Sequence, residues 1–173
     1  QGIMGSEYAR LAGEDPEELR ALLPATPRDR RLVFKLNHSN QVEVFGSAFR
    51  LRRARAYISY TAPLDSHFEP DNEVVITRRP DEGCLALFAA QGYGLEEIAD
   101  DIAQADARIF AIYTQNRPAC ACLAYRNYSQ VYEIGALHTL PGERRKGYAR
   151  RVVLTALAWV TGSGYVPRYA VHE

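Results

Sequence analysis

Cysteine is scarce in this sequence, and its spacing argues against a metal site or a disulfide framework. The three cysteines are Cys84, Cys120 and Cys122, an odd number without the paired spacing of metal ligands. Cys120 and Cys122 lie two residues apart in a predicted strand, so their side chains share one face. We therefore expect buried, reduced thiols and no bound metal.

Long apolar runs and an excess of charge of either sign are also missing. No stretch approaches the ~20 apolar residues that a membrane-spanning helix needs. The formal net charge at pH 7 is +0, so no field of the whole molecule draws it to nucleic acid or to an anionic membrane. We expect a cytoplasmic protein that binds neither.

Two common phosphate-binding motifs are absent. The chain has no Gly-x-x-x-x-Gly-Lys-Ser/Thr loop and no Gly-x-Gly-x-x-Gly after a predicted strand. The basic run Arg144-Arg145-Lys146 has no aromatic residues between its cations. A nucleotide- or nucleic-acid-binding protein that uses this run for phosphate is therefore the least favoured interpretation.

A strand, a turn and a helix at residues 131–161 form the most informative segment that is present. A helix N-terminus offers unpaired N–H groups and partial positive charge, and Gly147 allows close approach of an anion there. In the helix, apolar residues recur at i, i+3, i+4, i+7, i+8 and i+11, which predicts one buried face: Ala149, Val152, Val153, Ala156, Leu157 and Val160. The segment predicts a phosphate- or pyrophosphate-binding turn.

The pattern of elements divides the chain into two parts. Residues 62–72 are polar and contain Pro63 and Pro70, which indicates a linker. We expect residues 71–173 to form the main domain and residues 1–70 an N-terminal extension or a degenerate half-domain. Residues 1–3 are read as the remnant of a cleaved tag.

Local patterns predict the elements of both parts. The predicted elements of the first part are a helix at 15–23 and strands at 31–36, 41–45 and 49–60. Those of the second part are, in order, a strand at 73–77, helices at 81–90 and 95–104, strands at 108–114, 119–125 and 131–139, the helix that ends at 161, and a strand at 165–171.

The turn and the order of elements from about residue 72 resemble a known family. Arg144-Arg145-Lys146-Gly147-Tyr148-Ala149 matches the Arg/Gln-x-x-Gly-x-Gly/Ala signature of the GNAT superfamily of N-acetyltransferases. The resemblance implies an α/β (α+β) fold with a mixed, mostly antiparallel central sheet flanked by helices. Family members continue with a further helix and two strands beyond the point that Glu173 reaches. The domain is therefore expected to be C-terminally incomplete, with an exposed sheet edge.

The resemblance also implies a cosubstrate, acetyl-coenzyme A (acetyl-CoA), and the residues that bind it. In the family, the edge of the strand that matches 131–139 pairs with the pantetheine arm, and the following loop wraps the pyrophosphate. The cofactor-binding residues implied in this way are Leu137, His138, Thr139, Arg144, Arg145, Lys146, Gly147, Tyr148 and Ala149. The missing C-terminal elements often supply the general acid.

Glu133 is the candidate catalytic base. Its spacing to Arg144 matches that of histone-type family members, where a glutamate on this strand deprotonates a lysine amine, through water. The alternatives are a strand-edge carboxylate without a chemical role and a carboxylate that only binds a cationic substrate. His138 could also accept a proton, but relatives carry apolar or aromatic residues at its place, which favours a packed imidazole. Tyr125, Tyr128 and Tyr132 are candidates for an acceptor pocket or for simple packing.

The implied activity is transfer of an acetyl group from acetyl-CoA to a primary amine of a small molecule or protein, by direct attack. The alternative, from a different functional class, is a catalytically silent acyl-CoA-binding sensor or scaffold. The expected partners are acetyl-CoA and an amine acceptor. A homodimer stays open as the assembly.

Overall fold

The computed structural model describes residues 7–9, 15–34, 36, 38–53, 56–63, 65–92, 94, 98, 102 and 106–172. The predicted tag remnant at 1–3 lies outside these residues, as does most of the predicted helix at 95–104. The chain divides into two compact units, residues 2–56 and 57–173. Each unit is described by itself.

The first unit contains two short parallel strands and two helices. The strands are β1 (Glu7–Ala9) and β2 (Leu32–Phe34), and the helices are α1 (Pro16–Leu22) and α2 (Ser39–Gly46). A 3₁₀ turn at Leu23–Ala25 follows α1. Asp15 caps α1, because its carboxylate accepts a hydrogen bond from the Glu17 N–H at 2.8 Å.

The strand predicted at residues 41–45 is wrong, because these residues lie inside α2. The side chain of Gln41 accepts a hydrogen bond from the His38 N–H at 3.1 Å and caps the helix start. Val44 and Phe45 are three and four residues further on, so they face the same side as Gln41 and are buried with it. The β-branched and aromatic residues of this run favour a strand by local propensity, but the helical spacing of the buried side chains determines the structure.

The second unit is built on a six-stranded sheet with the order β3-β8-β7-β6-β5-β4. All neighbouring strands are antiparallel except β7 and β8, which are parallel. The strands are β3 (Tyr57–Thr61), β4 (Val75–Thr77), β5 (Arg108–Thr114), β6 (Arg117–Tyr128), β7 (Val131–Thr139) and β8 (Val166–His172). The helices are α3 (Glu82–Ala89) and α4 (Tyr148–Gly162), and a 3₁₀ turn at Pro141–Glu143 precedes α4. This is the mixed, mostly antiparallel sheet that was predicted.

The two helices cover opposite faces of the sheet, and each face has its own hydrophobic core. On the α4 face, Val152, Ala156 and Val160 are fully buried against strand residues such as Phe110 and Ile134. On the α3 face, Cys84, Leu87 and Phe88 pack against Ile109 and Leu123. The spacing of both helical sets is three or four residues, so a single apolar stripe on each helix accounts for its position.

The edge of β8 is covered by β3, which sequence patterns assigned to a longer strand at 49–60. Among the described residues of that run, only 57–60 lie in a strand, which continues to Thr61. It pairs antiparallel with β8 from Tyr57 opposite His172 to Thr61 opposite Arg168. The sequence predicts that β8 lies at an exposed edge of the sheet. In the structure β3 is the edge strand on that side, and all of its residues are exposed. Among the described residues, no helix has the length and apolar character needed to span a bilayer.

Candidate functional site

The parallel strands β7 and β8 are paired only over their first four residues. The paired positions run from Val131 opposite Val166 to Ile134 opposite Tyr169. β7 then continues to Thr139 beside β6, while β8 continues to His172 beside β3. We call the space between residues 135–139 of β7 and 170–172 of β8 the strand gap. Among the described strands, none pairs with the β7 edge along this gap, so its backbone groups can bind an extended ligand.

A β-bulge bends β7 at the start of the strand gap. Ala121 lies opposite His138 and Leu123 opposite Gly135, so two residues of β7 face one residue of β6. Ala136 at the bulge has a φ of 53°, in the left-handed region that non-glycine residues seldom adopt. A strained backbone of this kind persists where the surroundings enforce it and is frequent at functional sites.

The loop after β7 leads into the N-terminus of α4 with two left-handed residues. Arg145 has a φ of 64° and Gly147 a φ of 83°. Gly147 is the N-cap of α4, and no side chain caps this helix start. The first N–H groups of α4 therefore lack intrahelical partners and a side-chain acceptor. A Cβ at Gly147 would meet no atom within 4 Å, so glycine is needed there for its conformation, and the space above it is open.

The basic side chains of this loop are exposed and partly anchored. Nε of Arg144 donates to the carbonyl oxygen of Thr139 at 3.3 Å, which ties the loop to the end of β7. Nζ of Lys146 lies 2.9 Å from a carboxylate oxygen of Glu143, and this hydrogen bond raises the pKa of Lys146 above its usual value. The Arg144 contact therefore brings the loop part of the predicted cofactor site next to its strand part.

Tyr148 and Ala149, the last two predicted cofactor residues, have a different position. Both side chains pack partly against the core on the α4 face. Their N–H groups belong to the first turn of α4 and remain candidates for an anion, whereas their side chains hold the helix start on the sheet.

Glu133 is buried on the α3 face, one position before β7 and β8 separate. It is 8% exposed. Its carboxylate oxygen Oε2 accepts a hydrogen bond from Nδ2 of Asn127 at 2.6 Å. Its cross-strand neighbours are Tyr125 on β6 and Arg168 on β8. A buried carboxylate needs such polar neighbours, because burial of an unpaired charge is costly.

Arg168 is itself 9% exposed and donates to Oγ of Ser59 on β3, from Nη2 at 2.9 Å. Sequence reasoning missed Asn127, Ser59 and Arg168. Asn127 lies beyond the predicted strand at 119–125, near the end of β6, and nothing in the local pattern indicates that β8 lies beside β7 or that β3 lies beside β8.

His138 is half-buried at the strand gap and contacts a residue that sequence reasoning also missed. Nε2 of Gln91 lies 2.8 Å from Nδ1 of His138 and 3.0 Å from the carbonyl oxygen of Leu137. Burial, and then the positive charge of Arg144, lower the pKa of His138 below its usual value of 6.5. Gln91 comes directly after α3, so the turn at the end of that helix brings it to β7.

Of the three tyrosines, Tyr132 is a core residue. It is fully buried, its hydroxyl donates to Oδ2 of Asp106 at 3.1 Å, and its ring packs against Trp159 and Tyr165. Tyr125 packs partly into the core on the α3 face. The side chain of Tyr128 lies outside the described residues. The packing alternative therefore holds for Tyr132.

The described part of the chain contains no group of three or more His, Cys, Asp or Glu side chains that could hold a metal ion. Cys84, Cys120 and Cys122 are buried and free, as expected. Burial raises the pKa of each thiol, and that of Cys84 to about 11.

The second unit matches a known protein family. The family model described as "Acetyltransferase (GNAT) family" matches residues 63–173, which include the whole strand gap, Glu133 and the loop before α4. None of the curated protein sequences matches the chain significantly.

Solved structures share the fold at low sequence identity. A GCN5-related N-acetyltransferase from Kribbella flavida superposes with a TM-score of 0.55 and 16% identity, over 91% of this chain and 66% of that chain. For a GNAT-family protein from Novosphingobium aromaticivorans, the TM-score is 0.54 and the identity 17%, over 71% of this chain and 54% of that chain. For a GCN5-related N-acetyltransferase from Sphaerobacter thermophilus, the TM-score is 0.53 and the identity 12%, over 79% of this chain and 48% of that chain. The chain thus spans between 48% and 66% of the length of these proteins, and the likeness is one of fold.

Proposed function

We propose that this chain, which belongs to the acetyltransferase (GNAT) family, transfers an acetyl group from acetyl-CoA to a primary amine of a small molecule or a protein. One observation carries the proposal. The strand gap, which opens after Ile134 and Tyr169, is connected by the loop at 140–147 to the uncapped N-terminus of α4. An extended arm and an anionic end can therefore be bound by consecutive parts of the same segment.

The residues along this path fit the two halves of coenzyme A. No described strand pairs with the edge of β7 at residues 137–139 along the gap, so its backbone groups that are still available suit the amide groups of the pantetheine arm, which would add to the sheet as a strand does. The carbonyl oxygens of Leu137 and Thr139 already accept from Gln91 and Arg144. The N–H groups at the start of α4 suit the pyrophosphate, because they are unpaired and lie at the positive end of the helix dipole. Exposed Arg145 and Lys146 add positive charge, and the open space at Gly147 admits a bulky anion.

Acetyl-CoA supplies the acyl group as an activated thioester, and the chain must make the amine nucleophilic. A primary amine is mostly protonated at neutral pH, so direct attack needs a base. Glu133 accepts that proton, through water, while the hydrogen bond from Asn127 holds its carboxylate in place. A C–N bond forms and the C–S bond breaks. The second proton of the attacking nitrogen is then available to the departing thiolate.

Backbone N–H groups assist the same step. The amides at the bulge and along the strand gap can donate to the carbonyl oxygen of the thioester as negative charge develops on it. Pairing of the pantetheine arm with β7 would hold the thioester in a fixed position, which lowers the entropic cost of bringing the reactants together. No residue among those described is assigned as a general acid.

The proposal is tested by two measurements on the same protein. Calorimetry with coenzyme A should show one binding site per chain, and a panel of small and peptide amines with acetyl-CoA should show release of free thiol. Absence of coenzyme binding would overturn the proposal. Binding together with the failure of every amine would instead support the catalytically silent acyl-CoA-binding module.

A further inference from the structure

Gln91 joins the end of α3 to the strand gap through one nitrogen atom. Its Nε2 is within hydrogen-bond distance of two atoms of β7, the carbonyl oxygen of Leu137 at 3.0 Å and Nδ1 of His138 at 2.8 Å. A carboxamide nitrogen carries two hydrogen atoms and can serve two acceptors at once. Both contacts involve residues of the predicted cofactor edge.

The Leu137 contact determines the orientation of the Gln91 amide. Oxygen and nitrogen of a carboxamide are assigned from their hydrogen-bond partners. A carbonyl oxygen can only accept, so the Gln91 atom beside the oxygen of Leu137 must be the NH₂ group. Rotating the amide by half a turn would place two oxygen atoms 3.0 Å apart and would leave the Leu137 oxygen without this donor.

This orientation in turn determines the state of the imidazole. The same NH₂ group lies 2.8 Å from Nδ1 of His138, so Nδ1 must accept and cannot carry a proton. A neutral imidazole has its single proton on the other nitrogen, Nε2. The surroundings act in the same direction. Burial and the charge of Arg144 disfavour a charged imidazole, and the cross-strand neighbour of His138 is the apolar Ala121.

We propose that Gln91 is a positioning residue of this site: it holds His138 neutral, with the imidazole proton on Nε2. The imidazole then offers a ligand a hydrogen-bond donor and does not act as a base. In the described part of the chain, Nε2 of His138 has no hydrogen-bond partner. The atom that His138 presents is an N–H, which suits an acceptor such as a carbonyl oxygen, a phosphate oxygen or a thiolate. The placement of this donor at a coenzyme site rests on the proposed function, whereas the tautomer itself does not.

The tautomer can be measured directly by long-range ¹H–¹⁵N NMR of the imidazole nitrogens in the protein without coenzyme. The signals of His138 are identified by their loss in His138→Asn. We expect Nε2 to be protonated and Nδ1 unprotonated at pH 7. In Gln91→Leu, both donors are lost, so the ratio of the two neutral tautomers should shift by roughly fivefold towards the Nδ1–H form, and the titration midpoint should rise.

A second variant reverses the polarity at the same place. Gln91→Glu brings a carboxylate beside Nδ1, which should draw a proton onto that nitrogen and raise the titration midpoint further. Gln130→Glu is the matched control, because it adds the same charge in the exposed turn between β6 and β7 and should leave His138 unchanged. If Gln91→Glu fails to fold, the proposal is still tested, because the measurements on the wild type and on Gln91→Leu can each contradict it.

Two results would overturn the inference: an Nδ1–H or a protonated His138 in the wild type at pH 7, or an unaltered tautomer ratio in a folded Gln91→Leu. Neither depends on coenzyme. If coenzyme A fails to bind while the Nε2–H tautomer is found, the proposed function fails and the role of Gln91 in setting the tautomer stands.

Discussion

Glu133 of β7 lies opposite Arg168 of β8 at the third of the four paired positions of the parallel strands, and the strands separate one position later. The two residues share the α3 face and are 8% and 9% exposed. Opposite charges buried as neighbours at the mouth of the strand gap give that end of the site a fixed polar lining.

Replacing the proposed base tests its chemical role. Glu133→Gln keeps the size of the side chain and an oxygen that can accept from Asn127, but it removes the ability to take a proton near neutral pH. We expect kcat to fall by about 10²-fold or more, the usual contribution of a positioned base, with the coenzyme Kd changed by less than about threefold.

The control is Glu69→Gln, which removes an exposed carboxylate outside the site. Steady-state rates across pH 6 to 9, with the coenzyme affinity measured in parallel, separate chemistry from binding. A Glu133→Gln enzyme with the wild-type rate profile would show that Glu133 has a structural role.

Substitution of Gly147 tests the anion site at α4. Gly147→Asp forces a side chain into a left-handed backbone and adds negative charge where the pyrophosphate should lie. Loss of even two charge-assisted hydrogen bonds predicts a Kd for coenzyme A raised by about 10²-fold or more.

Gly164 supplies a matched control. It has a similar φ of 79°, equally open surroundings and a position at the other end of α4, so Gly164→Asp imposes the same strain and charge away from the loop. Calorimetry on both variants compares them. Similar affinities for coenzyme A in the two variants would remove the α4 N-terminus from the proposed site.

Tyr132→Phe distinguishes packing from acceptor binding. The hydroxyl of Tyr132 donates to Asp106 at 3.1 Å and the ring is fully buried. Loss of this hydrogen bond should lower the free energy of unfolding by about 1 kcal/mol. Urea denaturation measures this change, and KM for the acceptor amine should be unaltered. A KM that rises while stability is unchanged would place Tyr132 in the acceptor pocket after all.

Asp81 links the start of α3 to β5 and should make stability depend on acid pH. Its carboxylate accepts from the Cys84 N–H at 2.7 Å and from the Tyr113 hydroxyl at 2.6 Å. Burial alone would raise the pKa of Asp81, but these hydrogen bonds outweigh burial and lower it below 3.8. Because the folded state then binds the proton less tightly than the unfolded state, this stabilisation is fully present above about pH 4 and disappears as pH falls further.

Asp81→Ala removes the helix cap as well as the titrating group. We expect the free energy of unfolding at pH 7 to fall by about 1 to 2 kcal/mol, as for other lost N-caps, and the acid-dependent part of the stability to decrease. Denaturant titrations at pH 7 and pH 3 measure both effects. An undiminished pH dependence in the variant would assign it to other carboxylates.

The part of the site that follows the chain in order was predictable from the sequence. The apolar spacing from Ala149 to Val160 identifies α4, and Gly147 after a basic run identifies its exposed start, because helix periodicity and helix ends are encoded by residues a few positions apart. The strand at 131–139 was predicted with the bounds that β7 has.

Two local predictions were wrong or incomplete for the same reason. Residues 41–45 resemble a strand by composition and form part of α2, and of the described residues in the run at 49–60 only 57–60 belong to a strand. In both places intrinsic β propensity is a weak signal, and the packing of the side chains decides the outcome. The covering of β8 by β3 could not be predicted, since pairing of strands about a hundred residues apart leaves no local pattern.

By itself, the sequence determined the turn that is proposed to bind an anion, the helix behind it and the strand before it, because each depends on backbone preferences and apolar spacing within a short segment. Only the tertiary structure decided which side chains complete the site: Asn127 and Arg168 beside Glu133, Ser59 beside Arg168, and Gln91 beside His138. Those contacts join residues up to 109 positions apart, and they exist because the sheet order and the two helix faces bring separate strands and turns together.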